Sequence, residues 1–424
     1  MIDRMTLLLV LAPAIAMTSA CSNSNNNSPD ELTTTNPLQD SSMIDATIHA
    51  LLENNPVPGM AVAIISNAEN PVIWSKGYGV TNIETAAPVT EHTSCWMGSV
   101  SKAVMGTAIM VAEEKGLLRL DDDVSALVPA TGGFSIDNLQ SDAISLQHLA
   151  SHTSGIIDND DKYICAYYVN NDDGSQTKLA NLFDVGIDCP EHVANTLPGF
   201  LAAYLSATGE YYDSANNFST ATPGDTYDYS NIGAGLAGYA LELATGQTLA
   251  EYALAEIFTP LAMPDTSWRY EDLNPANVAT PYTSEDDEPV PLPNYELATW
   301  PDGGLRSSAV DMARLLATIM NDGTFGQSGV SILQPASVTR MLTPTSDGYS
   351  LFWEVNDALE YGGEQHTING HTGSDPGAFS VIYFDPEQHI GVVIVATGDD
   401  EEIDEQAFLD LIKLMFESGE LLGR

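Results

Sequence analysis

Three short clusters carry residue types suited to nucleophilic acyl chemistry: Ser99-Val100-Ser101-Lys102, Tyr229-Ser230-Asn231 and His371-Thr372-Gly373, in that order. A serine hydroxyl is a weak nucleophile until a neighbouring base removes its proton. Residues three apart at the start of a helix share a face, so Lys102 can reach Ser99 Oγ and take that proton when burial keeps the amine neutral. The other two clusters supply a second proton carrier and a wall for a substrate. Each cluster alone is a weak signal. Ser175-Gln176-Thr177-Lys178 and Tyr168-Val169-Asn170 match the same patterns but flank Asn170-Asn171-Asp172-Asp173-Gly174, a solvated turn. The stretch after Ser99 has another character. Ala103 to Ala112 is apolar on nearly every side and gives way to Glu113-Glu114-Lys115 and a stopping Gly116, which predicts a buried central helix.

The elements that must position these residues can be read from both chain ends. Ser42 to about Glu53 has a cap and helical spacing of Met43, Ile44, Ile48, Leu51 and Leu52. Gly59 to Ile65 and Val72-Ile73-Trp74 read as buried strands joined by a turn at Asn67 to Asn70. Ala378 to Phe384 and Ile390 to Val395 flank the turn Asp385-Pro386-Glu387-Gln388, and Glu401 to Glu417 closes the chain as a helix. Strands at both ends with helices between predict an α/β (α+β) fold, with one antiparallel sheet built from the two termini and a mainly helical region inserted at about 100–300.

Residues 1–20 read as a signal peptide: Arg4 precedes the apolar run Leu7 to Ala16, too short to span a bilayer, and Thr18-Ser19-Ala20-Cys21 comes next. Small residues ending in cysteine predict lipid attachment at Cys21, with ordinary signal cleavage as the alternative. Either reading places the protein in the cell envelope, facing the periplasm or as a surface lipoprotein, or makes it secreted. Residues 21–40, rich in Asn and Ser, form a disordered tether, and 41–424 the catalytic domain. Cys165 and Cys189 lie in one loop-rich stretch and can pair, leaving Cys95 as a buried structural thiol.

Lys plus Arg total 13 against 59 Asp plus Glu, a formal net charge of −46. A nucleic-acid partner is excluded, because phosphates would be repelled. Asp121-Asp122-Asp123 and Asp399-Asp400-Glu401-Glu402 lack the alternating ligand pattern of a calcium loop, so no metal and no cofactor are expected. His148 and His152 read as hydrogen-bonding a turn near the site.

The three clusters, with Pro58-Gly59, His148 to Gly155, Pro223-Gly224 and Asp302-Gly303-Gly304-Leu305-Arg306-Ser307-Ser308, resemble the penicillin-recognising serine hydrolases from about Asp40 to Leu422. The branch is that of class C β-lactamases, D-Ala-D-Ala carboxypeptidases, D-aminopeptidases and related esterases. The resemblance implies a β-lactamase-like fold in which Ser99 forms an acyl-enzyme, Lys102 and Tyr229 act as a coupled pair of proton carriers, and Asn231 holds the substrate amide. It implies an oxyanion hole from the N–H groups of Ser99 and Ser374, the latter on an edge strand. Many relatives carry Lys where His371 stands. A histidine is only partly charged near neutrality, so activity on carboxylate-bearing substrates is expected to fall between about pH 6 and 8, with Thr372 and Arg306 left to contact a carboxylate. Arg306 has a second reading, as a surface residue ahead of a helix. The segment 157–200 is the least family-like part: it is either a lid or specificity wall, with Tyr163, Tyr167 and Tyr168 lining a pocket if it folds over Ser99, or a surface insertion.

The expected function is an exported serine hydrolase of an amide or ester, D-alanyl peptidase-, carboxypeptidase- or esterase-like, acting on a small molecule or peptide. The alternatives are a class C-type β-lactamase and, from another class, a non-catalytic penicillin- or peptidoglycan-binding envelope lipoprotein.

Overall fold

Alternation along Gly59–Ser66 sets the layers of the fold. The computed structural model describes residues 41–422 except 67–71, 139–141, 327–328 and 346–347; the expected signal peptide, tether and Cys21 lie outside the described residues. Helix α1 (Ser42–Asn54) leads to strands β1 (Gly59–Ser66), β2 (Val72–Asn82) and β3 (Ala87–Pro88). Every residue of β1 is buried. Met60, Val62 and Ile64 join the apolar cluster on one face, with α1, while Ala61, Ala63 and Ile65 join the larger cluster on the other. A strand buried on both faces reads as a continuous apolar run, and each large aliphatic side chain so enclosed contributes about 1.5–3 kcal/mol.

Helices dominate the middle of the chain: α2 (Val100–Glu114), α3 (Asn231–Thr245) and α4 (Ala309–Met320) pack into the larger cluster. The sheet resumes with β4 (Tyr349–Ser350), β5 (Trp353–Tyr361), β6 (Glu364–Asp375), β7 (Ala378–Asp385) and β8 (Ile390–Thr397), and helix α5 (Glu405–Leu422) covers the α1 side. The eight strands run β4-β5-β6-β7-β8-β1-β2-β3, all antiparallel. The two termini meet at the β8–β1 pairing, with Gly59 opposite Thr397 and Ser66 opposite Ile390. This is the expected sheet.

Two expectations change in detail. Strand β2 continues to Asn82, beyond the apolar run, because Ser75, Gly77 and Gly79 pair with Ala63, Ala61 and Gly59 without needing large side chains. The strand carrying His371 is not at the edge of the sheet, since β5 and β4 lie outside it. Its last residues nevertheless run past β5, whose pairing ends at Glu354 opposite Gly370, so the strand pairing of 371–375 is with β7.

The segment 157–200 folds against this frame. Its strand Tyr167–Asn170 pairs with Gln176–Lys178 on one side and with Tyr295–Leu297 on the other. Cys165 and Cys189 are disulfide-bonded, with Cα atoms 5.4 Å apart and a sequence separation of 24. Closing a loop of that size removes denatured-state entropy of about 3 kcal/mol. Cys95 is free and buried, and burial pushes its thiol up to about 12, a structural cysteine.

Candidate active site

Ser99 occupies the position just ahead of α2, after Gly98, which adopts a φ of +49°. A Cβ on Gly98 would stand 2.6 Å from Ser374 N, so both its backbone angle and its surroundings call for glycine. The Ser99 hydroxyl makes no capping bond to the helix. It lies instead 3.1 Å from Lys102 Nζ, one turn on. Thirteen consecutive residues of α2, Val100 to Ala112, are buried, so Lys102 projects from a helix with no exposed side over that length.

Lys102 is fully enclosed and donates to the Asp302 carbonyl oxygen at 2.8 Å. Burial pushes its pKa below the usual lysine range, while the carboxylates of Asp302, Asp375 and Asp158 pull it back up. Burial in turn raises Asp302 to about 8 and Asp375 to about 7. The Tyr229 ring has Lys102 Nζ 5.0 Å from its centroid and stacks on His152 at 4.3 Å. Its hydroxyl is enclosed and faces the Ser99 side chain; burial, the larger cause, holds it well above the ordinary tyrosine value, and the Ser99 contact works against that rise.

The remaining residues of the three clusters fall into place around this pair. Asn231 opens α3, with its N–H donated to Asp158 Oδ2 at 2.6 Å. Asp158 also accepts from Ile232 N at 3.0 Å and Ser230 Oγ at 2.9 Å, which fixes the start of the helix beside Tyr229. His152 Nδ1 accepts the Ser230 N–H at 3.1 Å, the turn-holding role expected of it. A Cβ on Gly373 would stand 2.0 Å from Met97 O and 3.0 Å from Ser99 N, so the end of β6 lies directly against the turn that carries Ser99. This juxtaposition brings the backbone at Ser374 beside Ser99, where two N–H groups can meet one carbonyl oxygen. The Ser374 side chain is tied to Asp400 at 2.7 Å, and Thr372 Oγ1 to Glu354 at 3.4 Å.

Three expectations are corrected. Arg306 does not face a substrate carboxylate. It is completely buried, lies 4.0 Å over the Trp96 ring, pairs with Glu296 at 3.1 Å and donates to the Tyr295 carbonyl at 2.9 Å. Nor is it a surface residue. His371 is not partly charged near neutrality, because burial, with the Lys102 charge as a second cause, pushes its pKa to about 3. Its Nδ1–H donates to the Thr372 carbonyl, and Nε2 is buried without a partner. Finally, Tyr163 and Tyr167 do not line an open pocket. Both are buried, with hydroxyls donated to Asp302 Oδ1 at 3.1 Å and Asp375 Oδ1 at 2.5 Å. The Lys178 of the competing Ser-x-x-Lys pattern is buried, but its serine is exposed, so that pair forms no site.

Asp158, Asp302, Asp375 and Glu354 were not singled out from the sequence. Asp302 opens one of the motifs quoted above and Asp375 follows Ser374, which is the one signal that points to them. Asp158 meets its partners 72 to 74 residues along the chain. Among the described residues, no group of three or more His, Cys, Asp or Glu side chains is arranged to hold a metal ion. An amine whose pKa is lowered by burial and a tyrosine hydroxyl beside a serine, with the backbone of Ser374 close to that of Ser99, are the groups that acyl transfer through an acyl-enzyme requires.

Comparison with known proteins identifies the family and the fold. The family described as Beta-lactamase matches residues 44–413. Protein flp of Staphylococcus aureus (strain MRSA252) is 24% identical over 362 residues, 85% of this chain and 63% of that protein, so the chain spans just under two thirds of this relative's length. The octameric penicillin-binding protein homologue from Pyrococcus abyssi superposes with a TM-score of 0.70 at 24% identity, covering 90% of this chain and 78% of the other. A class C β-lactamase does so with a TM-score of 0.65 at 22% identity, over 91% and 98%. At these identities the solved structures establish the fold. The family match spans nearly all the described residues, and the protein belongs to the Beta-lactamase family of serine hydrolases.

Proposed function

We propose that the protein is an exported hydrolase that cleaves an ester or amide through a Ser99 acyl-enzyme, with Lys102 as the base, Tyr229 as the hydroxyl that returns the proton to the leaving group, and Asn231 and the N–H groups of Ser99 and Ser374 as substrate contacts. The observation that carries this reading is the 3.1 Å approach of a fully buried lysine amine to a serine hydroxyl that does no capping. A non-catalytic binding protein has no use for an amine kept out of water beside a nucleophile.

The same geometry selects among substrates. Among the described residues no arginine and no lysine other than Lys102 bonds to Ser99, Tyr229 or the third cluster, Arg306 is committed to Glu296, and His371 is neutral. A substrate carboxylate therefore has no permanent cation to meet, which favours uncharged esters and amides over D-alanyl carboxylates and β-lactams. Export is supported by the N-terminal residues and by a disulfide suited to an oxidising compartment, and lipid attachment at Cys21 would anchor the domain to a membrane.

An activated phosphonate should label the wild type and leave Ser99→Ala unlabelled; equal labelling overturns the nucleophile. In a panel of p-nitrophenyl esters, a D-Ala-D-Ala peptide and nitrocefin, the neutral esters should show the highest kcat/KM. Faster turnover of nitrocefin would move the reading to a class C-type β-lactamase.

A further inference from the structure

Tyr163 and Tyr167 lie four residues apart on either side of the disulfide-bonded Cys165, and both hydroxyls leave their own segment for a buried carboxylate. Tyr163 donates to Asp302, whose main-chain carbonyl accepts from Lys102 Nζ at 2.8 Å. Tyr167 donates to Asp375, the residue after Ser374. The two acceptors are close neighbours, since a Cβ on Gly303 would stand 2.8 Å from Asp375 Oδ2. An aromatic chain runs in parallel: Tyr163 meets Tyr167 edge-on at 5.9 Å, Tyr167 meets Tyr295 at 5.8 Å, and Tyr295 stacks on Trp96 at 4.4 Å, three residues ahead of Ser99. The Tyr295 hydroxyl completes the frame by donating to the Pro376 carbonyl at 2.8 Å.

We propose that Tyr163 and Tyr167 are positioning residues for acyl transfer, through which the disulfide-closed segment 157–200 clamps both the loop that orients Lys102 and the strand end that carries Ser374. The inference rests on the serine-hydrolase reading above and assigns the segment a role that neither a substrate lid nor a surface insertion would have. Each tyrosine acts through a carboxylate and touches no reacting atom. Losing either bond frees an element that must hold its place to a fraction of an ångström, where a 1 Å displacement can lower the rate about 100-fold.

Tyr163→Phe and Tyr167→Phe remove one oxygen each. Tyr361→Phe is the control, because it breaks an equally buried tyrosine–aspartate bond, to Asp385 at 2.7 Å, on the α5 side of the sheet. With a neutral p-nitrophenyl ester, both test variants should lower kcat by about 10- to 100-fold with KM within about twofold, and the control should keep wild-type kcat. Asp375→Asn retains an acceptor for the Tyr167 hydroxyl and should rescue most of kcat; Asp375→Leu should match Tyr167→Phe, and the two combined should be no worse than either alone. If a tyrosine variant does not fold, the Cys165→Ala/Cys189→Ala pair, which spares both tyrosines, should lower kcat in the same way. Wild-type kcat in the folded tyrosine variants, a loss equal to that of Tyr361→Phe, or additive effects of Tyr167→Phe and Asp375→Leu overturns the clamp. Phosphonate labelling of Ser99→Ala would instead remove the hydrolase reading beneath it.

Discussion

Burial acts on the two proton carriers beside Ser99 in the same way and with opposite chemical results. It disfavours the charged form of each, so the Lys102 amine is driven towards the neutral state in which it can accept a proton, while the Tyr229 hydroxyl is driven away from the tyrosinate in which it could do so. On the mechanism proposed above, these shifts fit lysine as base and tyrosine as a neutral hydroxyl that donates. Lys102→Met should lower the acylation rate by about 10²–10⁴-fold, the usual worth of a positioned base. Its stability should stay within about 1–2 kcal/mol of wild type by thermal melting, because the lost amine was itself costly to bury. The pH profile has a definite sign. Neutral Lys102 is the active form, so kcat/KM for a neutral ester rises with pH through the lowered lysine pKa and levels above it. His371, at about 3, adds no limb between pH 5 and 8. Asp302 is the leading carboxylate that favours the lysine proton, so Asp302→Asn should carry the acid limb to lower pH. A limb that moved to higher pH, or one that vanished with His371→Ala, would reassign the base.

At the level of elements, the site exists because the end of β6 is pressed against the turn before α2. Gly373→Ala places a methyl 2.0 Å from Met97 O, and the strand must retreat from Ser99. The expected result is a kcat loss of about 10²–10³-fold, the worth of one oxyanion donor, in a protein whose circular dichroism and melting remain native-like. Wild-type turnover in that variant would show that Ser374 N–H is not a donor. How far these elements can be read from the sequence depends on the range of the forces that place them. The buried α2, the strands at both ends and the antiparallel sheet follow from local apolar patterning, and Ser99, Lys102 and Tyr229 from motifs a few residues long. Strand β2 past Trp74 is hidden by Lys76 and its glycines, whose backbone still pairs with β1. The position of β6 inside the sheet depends on β4 and β5, strands without a distinctive run. Arg306 could not be placed, because the residues that enclose it, Trp96 and Glu296, come together only through the fold. The charge of His371 is hidden from the sequence for the same reason: a side chain's type sets its reference pKa, and burial sets the departure.

Across the whole molecule the same electrostatic logic runs at longer range. With 59 acidic against 13 basic residues, most surface charges repel one another, and much of the attraction available to the cations is already engaged in pairs such as Lys76–Asp45, Lys115–Glu256 and Arg340–Glu113. Like-charge repulsion opposes the compact state and is screened as the Debye length shortens from about 10 Å at 0.1 M salt to about 3 Å at 1 M. The melting temperature should therefore rise between these concentrations, by roughly 2–4 °C for each kcal/mol of repulsion removed in a protein of 150–250 residues and somewhat less in this longer chain. The same field bears on the substrate. An ester carrying a carboxylate approaches an anionic protein in which Arg306 is committed to Glu296 and His371 is neutral, so on the proposed substrate preference its KM should fall as salt rises, whereas the KM of the matching neutral ester should stay nearly constant. Measuring both esters across one salt series separates surface repulsion from pocket contacts. A carboxylate ester whose KM rises with salt would reveal an attractive cation at the mouth of the site, and would return the substrate assignment to the D-alanyl peptides and β-lactams.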